Sequence, residues 1–197
     1  MKRLFAAVAA LSLISAVPAQ DAYLVGLSGA ITGPNADTFA PGVEGLKLYI
    51  DQLNKRGGVN GKPVRLIVHD NQGEPSKAAA DAKKLISQDS VVLLVNFGLS
   101  SSYGPMAAEA KRGRVAQLFS GGVCPTETFP PNPDDLQFCS VGPATRWDSE
   151  MSLRFIKEQA REPVKLGLAA MAIPVSRGGI DFAEQIAPGF GFKVGDK

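Results

Sequence analysis

Two rhythms of apolar residues alternate along the chain, one with the spacing of strands and one with that of helices. Tyr23 to Ser28 is a short apolar run that ends in Gly29 and the turn cluster Thr32-Gly33-Pro34-Asn35, so it predicts a strand and then a loop. From Phe39 to Lys55 the positions Val43, Leu46, Ile50 and Leu53 fall on one helical face, and Gly57-Gly58 stops the element. Val64 to His69 predicts the second strand. After the polar stretch Asp70 to Pro75, Ala79, Ala82, Leu85 and Ile86 recur at helical spacing, with Ser76 as the expected N-cap. Val91 to Val95 is a continuous β-branched and leucine run, as expected of a strand buried on both faces of a parallel sheet.

The alternation continues with a helix from about Tyr103 to Arg112 behind Ser100-Ser101-Ser102, a strand Val115 to Phe119, a polar loop Ser120 to Asp135 and an extended run Leu136 to Val141. A helix near Trp147 to Gln159, a strand Val164 to Met171 and a helix near Gly178 to Ile186 follow. This order predicts an α/β fold: a parallel open sheet with helices on both faces, filling 20–144, and the start of a second similar unit over 145–197. In such sheets ligands collect at the carboxyl ends of the strands. Here those ends carry the loops Ser28 to Asp37, Asn96 to Ser102 and Ser120 to Pro125, rich in Ser, Thr and Gly.

Residues 1–19 change the compartment. Lys2 and Arg3 precede an apolar stretch from Leu4 to Val17, and Val17-Pro18-Ala19 offers a small-residue cleavage site, which together read as a signal peptide for export. The stretch is shorter than the roughly 20 residues of a membrane-spanning helix. The whole chain carries 21 Lys and Arg against 19 Asp and Glu, and losing Lys2 and Arg3 brings the two counts level. That balance argues against a nucleic-acid partner. Cys124 and Cys139 are the only cysteines, an even pair in an exported chain, and read as a disulfide around a Pro- and Asp-rich loop. With the lone His69 they cannot make a zinc site without carboxylates, and neither a metal nor a cofactor is expected.

Ser100, Ser101 and Ser102 stand where a strand gives way to a helix N-terminus. There, hydroxyls and unpaired N–H groups can hold a carboxylate, or one serine can cap the helix while the others face solvent. Ser120-Gly121-Gly122 is a turn that can also present backbone groups to a ligand. His69 beside Asp70 suggests base catalysis, but a strand-end histidine without a nucleophile reads as structural. Gly57 to Lys62 lacks the spacing of a phosphate loop. Trp147 reads as packing or as a cleft wall, and Arg177-Gly178-Gly179 as a helix start or an anion contact.

Several ordered landmarks resemble the periplasmic Leu/Ile/Val-binding protein family, solute-binding components of ABC transporters. They are Thr32-Gly33-Pro34 with Gly45, Asn54-Lys55-Arg56-Gly57-Gly58-Val59-Asn60-Gly61, Asp70-Asn71-Gln72-Gly73-Glu74-Pro75 and the Ser100 cluster. The resemblance runs from about Tyr23 to the end of the chain. It implies two α/β lobes closing on a small solute, a permease partner in the inner membrane and a periplasmic location. It also implies a ligand set: Ser100 with Ser101 for a carboxylate, Gly122 near a carbonyl donor, Cys124 where the family has threonine, and Thr38 with its neighbour Phe39 where the family has an aromatic. A disulfide-bonded sulfur cannot donate a hydrogen bond. Val175-Ser176-Arg177-Gly178 replaces the family's Tyr-Gly-Arg-Gly, so a tyrosine contact is missing.

These departures favour a hydrophobic or aromatic carboxylate, or an amide, over a branched-chain or other hydrophobic amino acid. Against the family's two complete lobes the chain looks truncated, and weak or absent binding is expected of it as it stands. The expected role is a solute-binding component of an importer, not an enzyme. The alternatives are a sensory module of the same fold and an exported serine hydrolase, which would need His69 as its base.

Overall fold

The computed structural model describes residues 22–125, 128, 136–140, 144–161 and 163–196, so the predicted signal at 1–19 lies outside the described residues. Five parallel strands form the main sheet: β1 (Tyr23–Gly29), β2 (Val64–Asp70), β3 (Leu93–Phe97), β4 (Ala116–Phe119) and β5 (Gln137–Cys139), in the order β2-β1-β3-β4-β5. The crossovers are α1 (Ala36–Lys55), α2 (Pro75–Ser87) and α3 (Tyr103–Gly113). Beyond them α4 (Ala144–Gln159) precedes a second β-α-β unit, β6 (Lys165–Gly167), α5 (Pro174–Ile186) and β7 (Lys193–Asp196), with β6 and β7 paired in parallel.

Alternation along β3 sets the two faces of the main sheet. Leu94 points to the side where Ala78, Ala82 and Leu85 of α2 meet Met106 and Ala110 of α3, while Val95 packs with Leu27 and with Val43 of α1 on the other. Each leucine so buried contributes about 1.5–3 kcal/mol. The second unit has its own core of Leu153, Leu166, Ala187 and Phe192. Helices therefore lie on both faces of an open parallel sheet, as the alternation predicts.

Several boundaries differ from expectation. Ser76 does not cap α2: the helix begins one residue earlier at Pro75, whose missing N–H costs nothing there, with Glu74 extended before it. The start of β3 moves to Leu93, because Val91 is spent on the core under α2 and Val92 only donates its N–H to the Leu24 carbonyl. Helix α5 begins at Pro174 instead of near Gly178, and β6 is three residues long, its register with β7 shifting after Leu166. The turn at 187–190 and strand β7 were missed, since Ala187-Pro188-Gly189-Phe190 carries no periodicity.

The glycine motif before β2 is a tight turn. Val59 and Lys62 exchange backbone hydrogen bonds, and a Cβ on Gly58 would fall 2.0 Å from the Lys62 carbonyl oxygen. Its chemistry is steric, with no phosphate cradle. Among the described residues no helix is long and apolar enough to cross a membrane, and no three His, Cys, Asp or Glu side chains gather to hold a metal.

Candidate functional site

The ends of β1, β2 and β3 are tied to one another by short polar side chains. Asp70 closes β2 and accepts hydrogen bonds from the N–H groups of Ile31 (3.0 Å), Thr32 (3.2 Å) and Gln72 (3.0 Å), and from the Thr32 hydroxyl. Burial alone would raise its pKa; those four donors outweigh it and hold the carboxyl below its ordinary value. Asn71 donates to the Ser28 hydroxyl at 2.9 Å and accepts from the Gly73 N–H at 2.9 Å. Asn96 accepts from the Gly98 N–H (3.2 Å) and donates towards Ser102 Oγ (3.0 Å) and Met106 Sδ (2.9 Å). This web fixes the turn that carries Ser100.

That turn is a single 3-10 turn, Ser100–Ser102, leading into α3. Its serines divide the work. Ser102 is buried and donates to the Leu99 carbonyl at 2.6 Å, so its role is local. Ser100 Oγ accepts the Val175 N–H from the first turn of α5 at 3.2 Å, which brings the N-terminal ends of α3 and α5 together.

Beside this junction lies a cavity of about 1010 Å³. Ser100, Ser101 and Cys124 stand on its wall, together with the aromatic side chains of Tyr103, Phe119, Trp147 and Phe182. The Tyr103 and Phe119 rings pack at 5.0 Å, and burial pushes the Tyr103 phenol up, so it stays protonated. Arg146 lies 5.8 Å from the Trp147 ring and 5.4 Å from the Phe182 ring, so two aromatic faces flank its guanidinium. Lys111 and Arg146 are the charged side chains among the described residues of the wall. Cys124 and Cys139 are joined as a disulfide with sulfurs 2.01 Å apart, which fastens the loop after β4 to the end of β5.

Other sequence-predicted residues fall elsewhere. Thr38 is exposed and Phe39 buried, because α1 starts at Ala36 and turns Phe39 onto Phe97, edge-on at 6.4 Å; neither lines the cavity. Gly122 sits just off the wall, where a Cβ would meet the Tyr103 hydroxyl at 3.5 Å. Gly121 closes the gap between the loops after β3 and β4, with space for a Cβ removed by the Gly98 nitrogen at 2.6 Å. His69 Nδ1 is 3.2 Å from Asp81, whose other oxygen accepts from Ser28 Oγ at 2.7 Å. The carboxylate stands between serine and histidine, the reverse of a nucleophile-base-acid relay, and His69 is not on the cavity wall. Arg177 is exposed and off the wall, whereas Gly178 is on it.

Sequence reasoning missed Arg146, Tyr103, Phe119, Phe182, Gln117 and Gln137. One signal was available for the glutamines: long amides inside strands that otherwise carry apolar or small residues.

A sequence profile of the family described as "Periplasmic binding protein" matches residues 23–197. The chain belongs to that family. Among curated relatives of this periplasmic binding protein, the leucine-, isoleucine-, valine-, threonine- and alanine-binding protein of Pseudomonas aeruginosa is 36% identical over 105 residues, which cover 53% of this chain and 28% of the relative. Among solved structures, the branched-chain amino acid transporter substrate binding protein LivJ of Streptococcus pneumoniae, in complex with isoleucine, superposes with a TM-score of 0.76 at 20% identity, covering 89% of this chain and 49% of that one. A solute binding protein of an ABC transporter from Rhodopseudomonas palustris, in complex with 3,4-dihydroxy benzoic acid, gives 0.74 at 20% identity over 90% and 47%. The chain thus spans less than half the length of these three relatives. Their likeness fixes the fold, and the family is one of binding proteins, not of enzymes.

Proposed function

We propose that this periplasmic binding protein captures a small organic acid with an apolar, preferably aromatic, body and serves as the solute-binding component of an ABC importer on the periplasmic side of the membrane. One observation carries the reading: the described charged side chains of the cavity wall, Lys111 and Arg146, are both cationic, and the rest of the wall is aromatic, aliphatic or uncharged polar. An α-amino acid needs an acceptor for its ammonium group as well as donors for its carboxylate. Among the described residues of the wall the side-chain acceptors are neutral, whereas cations, serine hydroxyls and two helix N-termini favour a carboxylate. The Trp147 and Phe182 faces add area for a ring and hold Arg146 with its fork accessible to an anion. The ligand of the Rhodopseudomonas palustris relative is of this class, whereas the LivJ complex holds isoleucine. The importer role rests on the names of those relatives.

Thermal shift and calorimetry with phenylacetate and its neutral isostere phenylacetamide test the reading. At concentrations high enough to saturate even weak binding, phenylacetate should raise the melting temperature and phenylacetamide should not, and Arg146→Gln should weaken phenylacetate by about tenfold or more, the usual worth of a hydrogen bond to a charged group. Equal binding of acid and amide, or an Arg146→Gln variant that binds as the parent does, overturns it.

A further inference from the structure

Gln117 and Gln137 are register partners on adjacent parallel strands, so their side chains share one face of the sheet. Gln117 is fully buried and Gln137 is 5% exposed, yet neither amide, nitrogen or oxygen, has a hydrogen-bond partner. Buried amides without partners are rare in native structures, because each forfeits its water contacts for nothing. An apolar residue would serve the strands better, so the pair calls for a physical reason. Gln137 supplies one: its side chain forms part of the cavity wall, with the amide just beneath the surface, and Phe119 and Cys139 lie one step further along the same face. Two residues of strand put it roughly 6–7 Å below the strand ends.

We propose that Gln137, backed by Gln117, reads a hydroxyl or carboxamide on the ligand at the end remote from its carboxylate. This deepens the organic-acid reading above and rests on it. A primary amide both donates and accepts, and so matches a group that does the same. A second carboxylate would satisfy the amide nitrogen but face the amide oxygen with like polarity, and a methyl group would satisfy neither. The cavity then sorts ligands by two features, an acid for the cations and a neutral hydrogen-bonding substituent for the amide.

The test compares phenylacetate with 4-hydroxyphenylacetate by calorimetry on the parent chain and on Gln137→Leu, with Gln137→Met as a second apolar replacement should the leucine variant not fold. The parent should bind the hydroxylated acid roughly tenfold more tightly. Either replacement should erase that ratio. A parent without preference, or a variant that keeps the ratio, overturns the role of Gln137 and leaves the organic-acid reading standing. Binding of neither acid overturns both.

Discussion

Two groups of buried amides sit on the same sheet and are treated in opposite ways. Under the ends of β1 to β3, Asn71 and Asn96 are buried with donors and acceptors engaged: Asn71 by Ser28 and Gly73, Asn96 by Gly98, Ser102 and Met106. On the next two strands, β4 and β5, Gln117 and Gln137 are buried as well, and their side-chain amides hydrogen-bond to nothing. The first group can be explained by the fold alone, because it pins the turns that close the strands. The second cannot, and it adjoins the cavity. A satisfied buried amide marks scaffold; an unsatisfied one on a cavity wall marks a place kept for something else.

Breaking the satisfied side should have the largest effect. Asn96→Ala strands the Gly98 N–H, removes the donor to Ser102 Oγ, whose hydroxyl keeps the Leu99 carbonyl, and removes the contact to Met106 Sδ, at about 1 kcal/mol for each of the three lost interactions. A loss of about 3 kcal/mol in urea unfolding is therefore expected, together with a weakened Ser100 turn. A loss below about 0.5 kcal/mol, the size of an ordinary surface change, would erase the distinction between the two groups.

How far this contrast could be read from sequence differs between its halves. The turn Asp70-Asn71-Gln72-Gly73 was legible as a strand end, because Asn, Asp and Gly report turn conformations through their own local hydrogen bonds. The parallel strands and the helices on both faces followed from apolar spacing, which is a property of single elements. The glutamine pair was not legible, since its meaning lies in the register of β4 with β5 and in the absence of partners, and no local pattern encodes either. Arg146 escaped for a related reason. Its neighbour Trp147 stood out as the only tryptophan, but the second aromatic face comes from Phe182, 36 positions further on and on another helix. Ser100 lay between the two cases: its position before a helix was visible, its bond to Val175 was not.

On the unsatisfied side the sign should reverse. Gln117→Leu replaces a fully buried amide that bonds to nothing by an apolar side chain of similar size, so the free protein should gain stability, by about 1 kcal/mol. For a chain of this length that corresponds to a rise of about 2–4 °C in melting temperature. Gln137→Leu should behave likewise in the absence of ligand, with a smaller gain because the residue is part of the cavity wall and less completely enclosed. A fall in melting temperature for both variants would mean that the amides find partners in the native ensemble, and the contrast would collapse from this end.

The smallest effect separates the two groups by pH. Asp70 belongs to the satisfied side, and its four donors hold its carboxyl below the ordinary value, with burial opposing them. A carboxyl whose pKa is lower folded than unfolded binds fewer protons in the native state. Its contribution is complete above the unfolded value, about 3.9, and is lost as pH falls through the lowered native value. Asp70→Asn should therefore reduce the acid sensitivity of urea midpoints below about pH 5 and leave the slope above that pH unchanged. Because the site borders solvent, the change should be modest. Gln117→Leu should shift midpoints equally at every pH, since an amide does not titrate. The pair of profiles, one with its acid slope reduced and one displaced in parallel, distinguishes an anion held by the fold from an amide held in reserve. An Asp70→Asn profile parallel to the parent would show that the four donors gain nothing from the charge.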